Sequence, residues 1–506
     1  MKASGLGDAI KRCTMDSFIT DTDWRAALKR KVSEFINDDS SRMLYIGGQT
    51  GCVDCDTEYF NGSAWVRIAD YKSGDKVLQY NPDNGNGELV TPEEYIVANA
   101  DELFRVRGER GCIDMCLSEN HNFAYFTPRG HLHKKPFSSI MRAHNETAQG
   151  FYGKVETAFN YSRSGVGLTD NEIRLMCAVI ADGYFANESN TCDINVSKER
   201  KKERMRALLN GIDYAEYKKA DGCSVFRFQA PRREKEFSEY WYYCTQDQLR
   251  IIVDEVFEWD GSKNGKRRIF YSTSKQSADF VQFAISATGS RATIAVDTHR
   301  NRPCYIVRKS SYSSRISMCS SRGNNKATIE SVKPIDGKQY CFTVESGYLI
   351  LRRNGRIFIT GNSGKTHLCT AVCADYMRRG YDCYYMRWVD DSKRIKASIT
   401  DPEEYSRLVG KLKSVDVLYI DDLLKTAGDT PTKGDINLAF ELINYRNAAE
   451  NKVTIISSEL TLIDIKNSVD EAIAGRIFEL CGEKYGIGIK RDSAKNWRFK
   501  GMKNEF

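Results

Sequence analysis

The chain contains the two halves of a phosphate-binding loop, separated by more than three hundred residues. Residues 43–51 read MLYIGGQTG, an apolar strand that runs into a glycine-rich loop, but CVDCDTEYF follows where a lysine and a hydroxyl residue are needed. The missing half, SGKTHL, stands at 363–368, before the helical run CTAVCADYMRRG. Joining Gly51 to Ser363 gives GQTGSGKT, which satisfies G-x-x-x-x-G-K-[ST] between a strand and a helix. The motif is complete only after residues 52–362 are removed.

The joined loop predicts ATP binding with Mg²⁺. Its glycines, Gly48, Gly51 and Gly364, let backbone N–H groups turn toward phosphate oxygens. Lys365 would reach the β- and γ-phosphates, and the hydroxyl of Thr366 would bind Mg²⁺. The sequence therefore predicts a nucleotide site that depends on excision.

A second motif supports this prediction. Residues 415–422, VDVLYIDD, form an apolar strand that ends in two acids, as in a Walker B strand. Asp421 would support Mg²⁺ and Asp422 would orient the attacking water. The alternative is a buried strand that ends in acids for structural reasons.

Length and composition permit several domains. The 506 residues suggest three or four domains, and removing residues 52–362 leaves 195, a size that suits one α/β domain. No apolar run approaches the roughly 20 residues that span a bilayer, so no membrane association is expected. The 16 cysteines have irregular spacing and the N-terminus has no apolar signal core, which favours free thiols in a bacterial cytosol. The net charge of +7 permits nucleic-acid binding without establishing it.

The ends of the insertion carry the chemistry that excision needs, without a cofactor. The Cys52 thiol can attack the carbonyl of Gly51 and form a thioester, and the Ser363 hydroxyl can then accept the acyl chain. Asn362 can cyclise through its side-chain amide and cut the last bond. An O-to-N acyl shift would leave Gly51 bonded to Ser363.

These residues resemble the splicing blocks of an intein. CVDCDTEYF resembles the first block, and YCFTVESGYLILRRNGRIFITGN at 340–362 resembles the last two. CLSENHNF resembles a T-x-x-H block, with Ser118 and His121 at the threonine and histidine positions. The resemblance implies that His121 polarises the first scissile amide and that Cys341 assists. The chain departs from the family at Gly361, where inteins usually carry histidine.

Roles unrelated to splicing are the alternatives for these residues. Cys52 and Cys55 have the spacing of half a zinc site or of a redox C-x-x-C pair, although no second pair at ligand spacing accompanies them. His121 could be an ordinary surface histidine. The position of Cys52 and Asn362, on either side of the broken loop, favours splicing.

The middle of the insertion resembles a LAGLIDADG homing endonuclease. LMCAVIADGYF at 175–185 resembles its helix, and IIVDEVFEWDGS at 251–262 is a weaker partner followed by STSKQSADFVQFAISATG. The resemblance implies that Asp182 and Asp260 bind a divalent metal, such as Mg²⁺, at a double-stranded DNA site, with Lys275 as an assistant. The alternative is that A-D-G and W-D-G are ordinary helix ends. The basic run SKERKKERMR at 197–206 suits phosphate contact, or is a solvated helix face.

The remaining segments resemble AAA+ helicase loaders of the DnaC/DnaI type, especially phage and prophage forms. Strands are expected at 43–46, 383–386, 417–420 and 453–458, with helices between them. YYMRW, INYRN and AGRIFEL also carry the resemblance. It implies a homo-oligomer that contacts a replicative helicase and single-stranded DNA. Arg476 would be the arginine finger and Arg498 a sensor, or either could be a surface arginine, and Glu459 departs from the usual sensor asparagine.

The predicted fold class is a multidomain chain with an α/β P-loop (AAA+) host, an all-β Hint-type splicing domain and an α+β LAGLIDADG endonuclease domain. The expected parts are the host at 1–51 and 363–506, the splicing domain at 52–150 and 321–362, and the endonuclease at 151–320.

Three hypotheses follow. The first is a splicing precursor of a helicase-loading ATPase. The second is a splicing-defective chain that acts mainly as a DNA endonuclease. The third keeps splicing but makes the host a transposition helper of the IstB type.

Overall fold

The strand before the first half-loop lies inside a sheet whose other strands come from the C-terminal part of the chain. The computed structural model describes residues 14–15, 23–48, 51–108, 111–119, 121–264, 267–299, 302–319, 326–361, 365–425, 431–449, 451–458 and 460–489. All pairings in this sheet are parallel. Its strand order is Cys383–Arg387, Val417–Asp421, Val453–Ser458, Met43–Gly48 and Gly486–Ile489. The insertion therefore interrupts one sheet without preventing its assembly.

The centre of the parallel sheet is buried because its strands are mainly apolar there. Val417, Leu418, Tyr419 and Ile420 are each 0% exposed, as expected of a strand covered on both faces. The helices of this part are Asp23–Ile36, Lys365–Arg378, Trp388–Ala397, Pro402–Ser414, Lys433–Ala448, Leu462–Ser468 and Glu471–Tyr485. The strands expected near residues 43, 383, 417 and 453 are confirmed. The edge strand Gly486–Ile489 was not expected, since a short run with two glycines has a weak strand signal.

The middle of the chain is built from two copies of one arrangement: helix, two strands, helix, two strands. The first copy comprises Asp170–Asp182, Gly183–Phe185, Thr191–Val196, Glu199–Leu208, Tyr214–Lys218 and Ser224–Gln229. The second copy comprises Gln246–Trp259, Gly261–Asn264, Arg267–Ser272, Lys275–Ser286, Ala292–Asp297 and Cys304–Lys309. In both copies the fourth strand pairs between the second and the third. We call these the first and second repeats; a short 3₁₀ helix, Glu239–Tyr243, lies between them.

The leading helices of the two repeats pack against each other, and the same local devices begin and end them. Thr169 and Thr245 each form a capping box, with Glu172 and Gln248 respectively. At the other end, a Cβ added to Gly183 would lie 2.5 Å from the Val179 carbonyl oxygen, and one added to Gly261 would lie 2.5 Å from that of Phe257. Glycine is thus required where the chain leaves each of these two helices.

The rest of the insertion is mainly antiparallel β-structure. Its strands are Glu58–Phe60, Trp65–Arg67, Val77–Tyr80, Gly87–Val90, Glu94–Asn99, Leu103–Arg107, Asp114–Leu117, Asn122–Phe126, Leu132–Pro136, Lys154–Val155, Ile316–Ser317, Thr328–Val332, Lys338–Thr343, Tyr348–Arg353 and Arg356–Gly361. It also contains helix Phe137–Glu146 and the 3₁₀ turn Ile68–Asp70. We call the last two strands the closing hairpin, because Asn362 follows them directly.

Two short strands lie near the expected boundaries of the middle part. Lys154–Val155 and Ile316–Ser317 pair with each other, and Lys154 also pairs with Phe126. This four-stranded sheet therefore joins strands on both sides of residue 150 and includes Ile316–Ser317, just before residue 320. The buried apolar residues of the parallel sheet form a cluster of their own, and the antiparallel part has a second cluster. The cluster of the two repeats also includes Phe60, Trp65 and Ile350 of the antiparallel part. Among the described residues, no helix combines the length and apolar character needed to cross a bilayer.

A buried guanidinium ties the start of the insertion to the closing hairpin. Arg353 donates to both carboxylate oxygens of Asp54, with Nη2 at 2.7 Å from Oδ2, and Nη1 lies 2.6 Å from Asp114 Oδ1. Arg353 is 5% exposed and the two acids are 5% and 8% exposed. Buried charges are tolerated only when paired in this way.

Replacing Arg353 with Met should free the start of the insertion. Removing one partner of a buried pair costs about 3 kcal/mol or more, so amides of residues 52–60 should exchange about 100-fold faster, at about 1.4 kcal/mol per tenfold. The measurement is hydrogen exchange by mass spectrometry on a Cys52→Ala, Asn362→Ala chain, which cannot rearrange.

The matched control is Arg107→Met, which removes an exposed pair with Glu330, at 3.0 Å. Exposed pairs contribute roughly 0–1 kcal/mol, so that variant should exchange like the parent. Exchange of residues 52–60 in Arg353→Met within twofold of the parent would contradict the role given to Arg353.

Candidate functional site

Cys52 is held between two strands that come from distant parts of the insertion. It is 1% exposed. The next residue, Val53, donates to and accepts from Tyr340, each bond at 2.8 Å, and Asp54 donates to the Cys116 carbonyl at 3.3 Å. The first residues of the insertion thus lie between strands Asp114–Leu117 and Lys338–Thr343 and pair with both.

Ser118 contacts the amide of the Gly51–Cys52 peptide directly. The N–H of Cys52, which belongs to the Gly51–Cys52 peptide, donates to Ser118 Oγ at 2.9 Å. The N–H of Ser118 donates back to the Cys52 carbonyl at 2.9 Å. This pair of bonds fixes the orientation of the peptide that the Cys52 thiol would attack.

The His121 imidazole lies between the two ends of the insertion. Its Nε2 is 2.5 Å from Thr360 Oγ1, two residues before Asn362. Among the described residues no hydrogen-bond partner reaches its buried Nδ1. Burial lowers the pKa of His121 to about 4, although the nearby backbone of Gly51 and Cys52 acts in the opposite direction. The ring is therefore neutral near pH 7, with one nitrogen that can donate a hydrogen bond and one that can accept.

Cys341 packs against Cys52, whereas Cys55 lies elsewhere. Cys52, Cys341 and Ile96 form one small buried cluster. Cys55 belongs to the larger core of the antiparallel part, and burial raises the pKa of its thiol to about 11. A thiol held protonated in this way is a poor redox or metal-binding group. In the described part of the chain, no group of three or more His, Cys, Asp or Glu side chains has the geometry of a metal site.

The second junction is described only up to Gly361. This glycine ends the closing hairpin and pairs with Tyr348 across it. Asn362, Ser363 and Gly364 lie outside the described residues. Helix Lys365–Arg378 begins immediately afterwards, so Lys365 and Thr366 belong to its first turn.

Asp182 and Asp260 occupy equivalent places at the ends of the leading helices of the two repeats. Burial raises the pKa of Asp260, and the nearby charge of Asp182 raises it further. Lys201 Nζ lies 2.5 Å from Asp182 Oδ2. Lys235 Nζ donates to the carbonyls of Val179 and Ile180, each at 2.9 Å, and its charge also influences Asp260. Carboxylates of this kind suit Mg²⁺.

Sequence analysis did not assign Lys201 and Lys235 to this site. The lysine that it did assign, Lys275, lies elsewhere. Lys275 pairs with Asp279 at 2.6 Å, on the surface of the second repeat. Lys201 lies in the basic run that was considered for phosphate contact. That run is largely neutralised, because its cations pair with acids: Arg200 with Glu258, Lys201 with Asp182, Arg204 with Glu255 and Arg206 with Glu216.

Asp421 stands at the carboxyl edge of the parallel sheet and is held by hydroxyl groups. Tyr385 donates to its Oδ2 at 2.7 Å, Tyr419 donates to Oδ1 at 2.7 Å, and Ser457 also donates to Oδ1. These donors come from three adjacent strands, so together they fix the orientation of the Asp421 carboxylate. Sequence reasoning missed them, since polar residues at strand ends have no distinctive pattern.

Asp422 follows in a left-handed conformation, with φ at 56°. Its N–H donates to Ser457 Oγ at 3.1 Å, and its carboxylate pairs with Lys425 at 3.1 Å. Arg476 lies on an exposed helix surface, where it pairs with Glu479 at 2.7 Å. Glu459 and Arg498 lie outside the described residues.

Comparison with known families identifies an ATP-binding part. Residues 346–481 match the family model of the IstB-like ATP binding protein. The C-terminal part of the chain is therefore an IstB-like ATP-binding domain. The match begins two residues before the closing hairpin and so includes this antiparallel β-structure. In the parallel sheet, the strand that comes before the insertion is Met43–Gly48.

Two curated relatives match different shares of the chain. Phage-like element PBSX protein XkdC of Bacillus subtilis (strain 168) is 34% identical over 145 residues, 28% of this chain and 52% of that protein. The ribonucleoside-diphosphate reductase subunit beta of Aquifex aeolicus (strain VF5) is 24% identical over 366 residues, 63% of this chain and 51% of that protein. The chain thus spans about half the length of these relatives.

Solved structures give weak similarities. A mesophilic variant of the homing endonuclease I-DmoI matches 28% of this chain and 89% of its own, with 18% identity and a TM-score of 0.22. A splice-inactive AceL NrdHF class 3 split intein matches 62% of this chain and 98% of its own, with 8% identity and a TM-score of 0.25.

Replacing His121 with Gln should slow cleavage at the first junction. A positioned imidazole contributes about 100-fold to proton transfer, so thiol-induced cleavage between Gly51 and Cys52 should fall by about that factor. The measurement is the rate of fragment release by dithiothreitol in an Asn362→Ala chain. His131→Gln, at an exposed position just before strand Leu132–Pro136, is the control and should cleave like its parent.

The same variants should differ in their response to acid. Because the pKa of His121 falls from about 6.5 in the unfolded chain to about 4 in the folded one, the unfolded chain takes up the proton first. The neutral His121 therefore contributes roughly 3 kcal/mol to the free energy of unfolding above pH 6.5, and this contribution is lost as the pH falls toward 4. His121→Gln should lack this part of the acid response in hydrogen exchange of residues 116–126. Cleavage and acid response equal to those of the parent would contradict the assignment.

Replacing Asp182 with Asn should abolish metal-dependent DNA cleavage. The substrate is DNA that encodes the uninterrupted loop, incubated with Mg²⁺, and we expect nicking to fall at least about 100-fold because one of the two carboxylates is lost. Asp254→Asn is the control, since Asp254 lies on the same leading helix as Asp260 but is 75% exposed and only loosely paired, at 3.7 Å. Wild-type nicking by Asp182→Asn would exclude this site.

Proposed function

We propose that the chain is a splicing precursor. Excision of residues 52–362 would join Gly51 to Ser363 and create an ATP-binding AAA+ type ATPase. The excised part would also be a site-specific DNA endonuclease. Each activity uses a different one of the arrangements described above.

The position of His121 carries the splicing proposal. This one imidazole reaches Thr360 and lies against the Gly51–Cys52 backbone, so it connects both ends of the insertion. Ser118 would orient the first peptide, and His121 would transfer a proton as the Cys52 thiol adds to the Gly51 carbonyl and the C–N bond breaks. The acyl chain would then pass to the Ser363 hydroxyl, and cyclisation of Asn362 would release the insertion.

We assign the parts of the chain accordingly. The Hint-type splicing domain would comprise residues 52–156 and 315–362, the endonuclease would comprise the two repeats, and the host would comprise residues 1–51 and 363–506. The similarity to the reductase subunit supports a separable insertion. It covers 63% of the chain, more than the 195 host residues could supply, so it must extend into the insertion. An insertion shared by chains with unrelated host names fits a mobile element.

The host would use ATP and Mg²⁺ at the edge that carries Asp421 and Asp422, with the attacking water near Asp422. We propose that it loads a replicative helicase onto single-stranded DNA as a homo-oligomer in a bacterial cytosol, with Arg476 reaching a neighbouring subunit. The XkdC similarity supports a phage or prophage setting. The IstB-like match favours a second candidate, a transposition helper. Recovery of a transposase rather than a helicase with the spliced host would favour that candidate.

Intact mass and tryptic peptides of the expressed chain test the proposal. We expect a product of 195 residues and a peptide in which Gly51 is joined to Ser363. Cys52→Ala and Asn362→Ala should both lack this peptide, because each removes a group that forms or breaks a bond. Their uncleaved chains should bind ATP poorly, since their loops remain interrupted.

Two results would contradict the proposal. Full-length chain or unligated fragments alone would favour the splicing-defective endonuclease. ATP hydrolysis by the uncleaved variants at the rate of the joined product would show that the host does not need the completed loop.

A further inference from the structure

A buried lysine occupies the space beside the last glycine of the insertion. A Cβ added to Gly361 would overlap Lys134 Cδ and would lie 2.6 Å from the Asn122 carbonyl oxygen. No side chain therefore fits at position 361 unless both neighbours move. The hydrocarbon stem of Lys134 fills the volume in which a side chain at 361 would lie.

The ammonium group of Lys134 is fixed on the strand opposite this glycine. Lys134 is 5% exposed. Its Nζ donates to the Gly347 carbonyl at 2.8 Å and lies 3.7 Å from the centroid of the Tyr348 ring. Tyr348 pairs with Gly361 across the closing hairpin. Burying an ammonium group is costly unless such contacts compensate it, so this placement needs a reason.

The reaction that follows Gly361 in the chain would use a positive charge. In the proposed function, on which this inference rests, Asn362 Nδ2 forms a bond to its own carbonyl carbon and the C–N bond to Ser363 breaks. A proton passes from Nδ2 to the leaving amine, and the products are a succinimide and a free amine. The carbonyl oxygen gains negative charge on the way, and a fixed cation lowers the free energy of that state.

We propose that Lys134 is the positioning residue for Asn362 cyclisation. Its stem packs on Gly361 and sets the backbone that leads into Asn362. Its ammonium group, beside the Gly347 carbonyl, supplies a positive potential next to Gly361, the residue before Asn362. Lys134 thereby compensates for the absence of a side chain at position 361.

The test separates the two junctions. A Cys52→Ala chain reports cleavage between Asn362 and Ser363 alone, and an Asn362→Ala chain reports thiol-induced cleavage between Gly51 and Cys52 alone. In each we place Lys134→Met, which keeps the stem and removes the charge, and Lys134→Arg, which keeps the charge. Lys135→Met is the matched control, because Lys135 is exposed on the same strand.

We expect Lys134→Met to slow cleavage after Asn362 at least tenfold and to leave thiol cleavage after Gly51 within twofold of its parent. Lys134→Arg should recover at least a third of the parental rate after Asn362, and Lys135→Met should match its parent at both junctions. A general packing defect would slow both junctions and would not be rescued by Arg.

Each other outcome contradicts the inference. Parental cleavage after Asn362 in Lys134→Met, equal losses at both junctions, or no rescue by Arg would each overturn the role of Lys134 alone, provided that the parents cleave. Parents that cleave at neither junction would overturn the proposed function and this inference with it.

Discussion

The structure depends on holding the start and the end of residues 52–362 together, and the buried ion pairs of Arg353 contribute much of this contact. Arg353, next to the turn of the closing hairpin, binds Asp54 and Asp114 away from water. An unpaired charge there would cost several kcal/mol, so the start and the end of the insertion are held together. His121 then reaches both ends. The same closure explains why the parallel sheet can form around the insertion, since its entry and exit lie beside each other.

Sequence predicted the features that reside in local patterns. Four strands of the parallel sheet, the leading helices of both repeats and the acids at their ends were expected from short stretches. The contacts that complete the sites were not predictable, because they join residues far apart in sequence. Arg353 and Asp54 are 299 positions apart, and Ser457 meets Asp421 from another strand. Nothing in the runs LRRNG or TIISS distinguishes these side chains from ordinary strand residues.

The two repeats explain why one endonuclease motif was clear in the sequence and the other was weak. Both share the capping box at the start, the acid at the end and a glycine that touches the helix backbone. Between these points only helix packing has to be satisfied, and many apolar residues can do that. The geometry therefore retains a symmetry that the sequence has largely lost. The lysines at the acid pair break this symmetry, since Lys201 and Lys235 both come from the first repeat or the segment after it.

The second repeat and the closing hairpin share one sheet, which links the middle of the insertion to its end. Thr293 pairs with Arg356, the N–H of Ile294 donates to the Gly355 carbonyl at 3.0 Å, and Arg356 donates back to Ile294. The buried Arg352 adds ion pairs to Glu58 at 2.7 Å and to Asp279 at 2.5 Å, on a helix of that repeat. The strand that leads to Asn362 thus begins on the edge of the endonuclease-like part. Since packed interiors transmit displacement, a shift of the second repeat would also displace the strand that ends at Gly361.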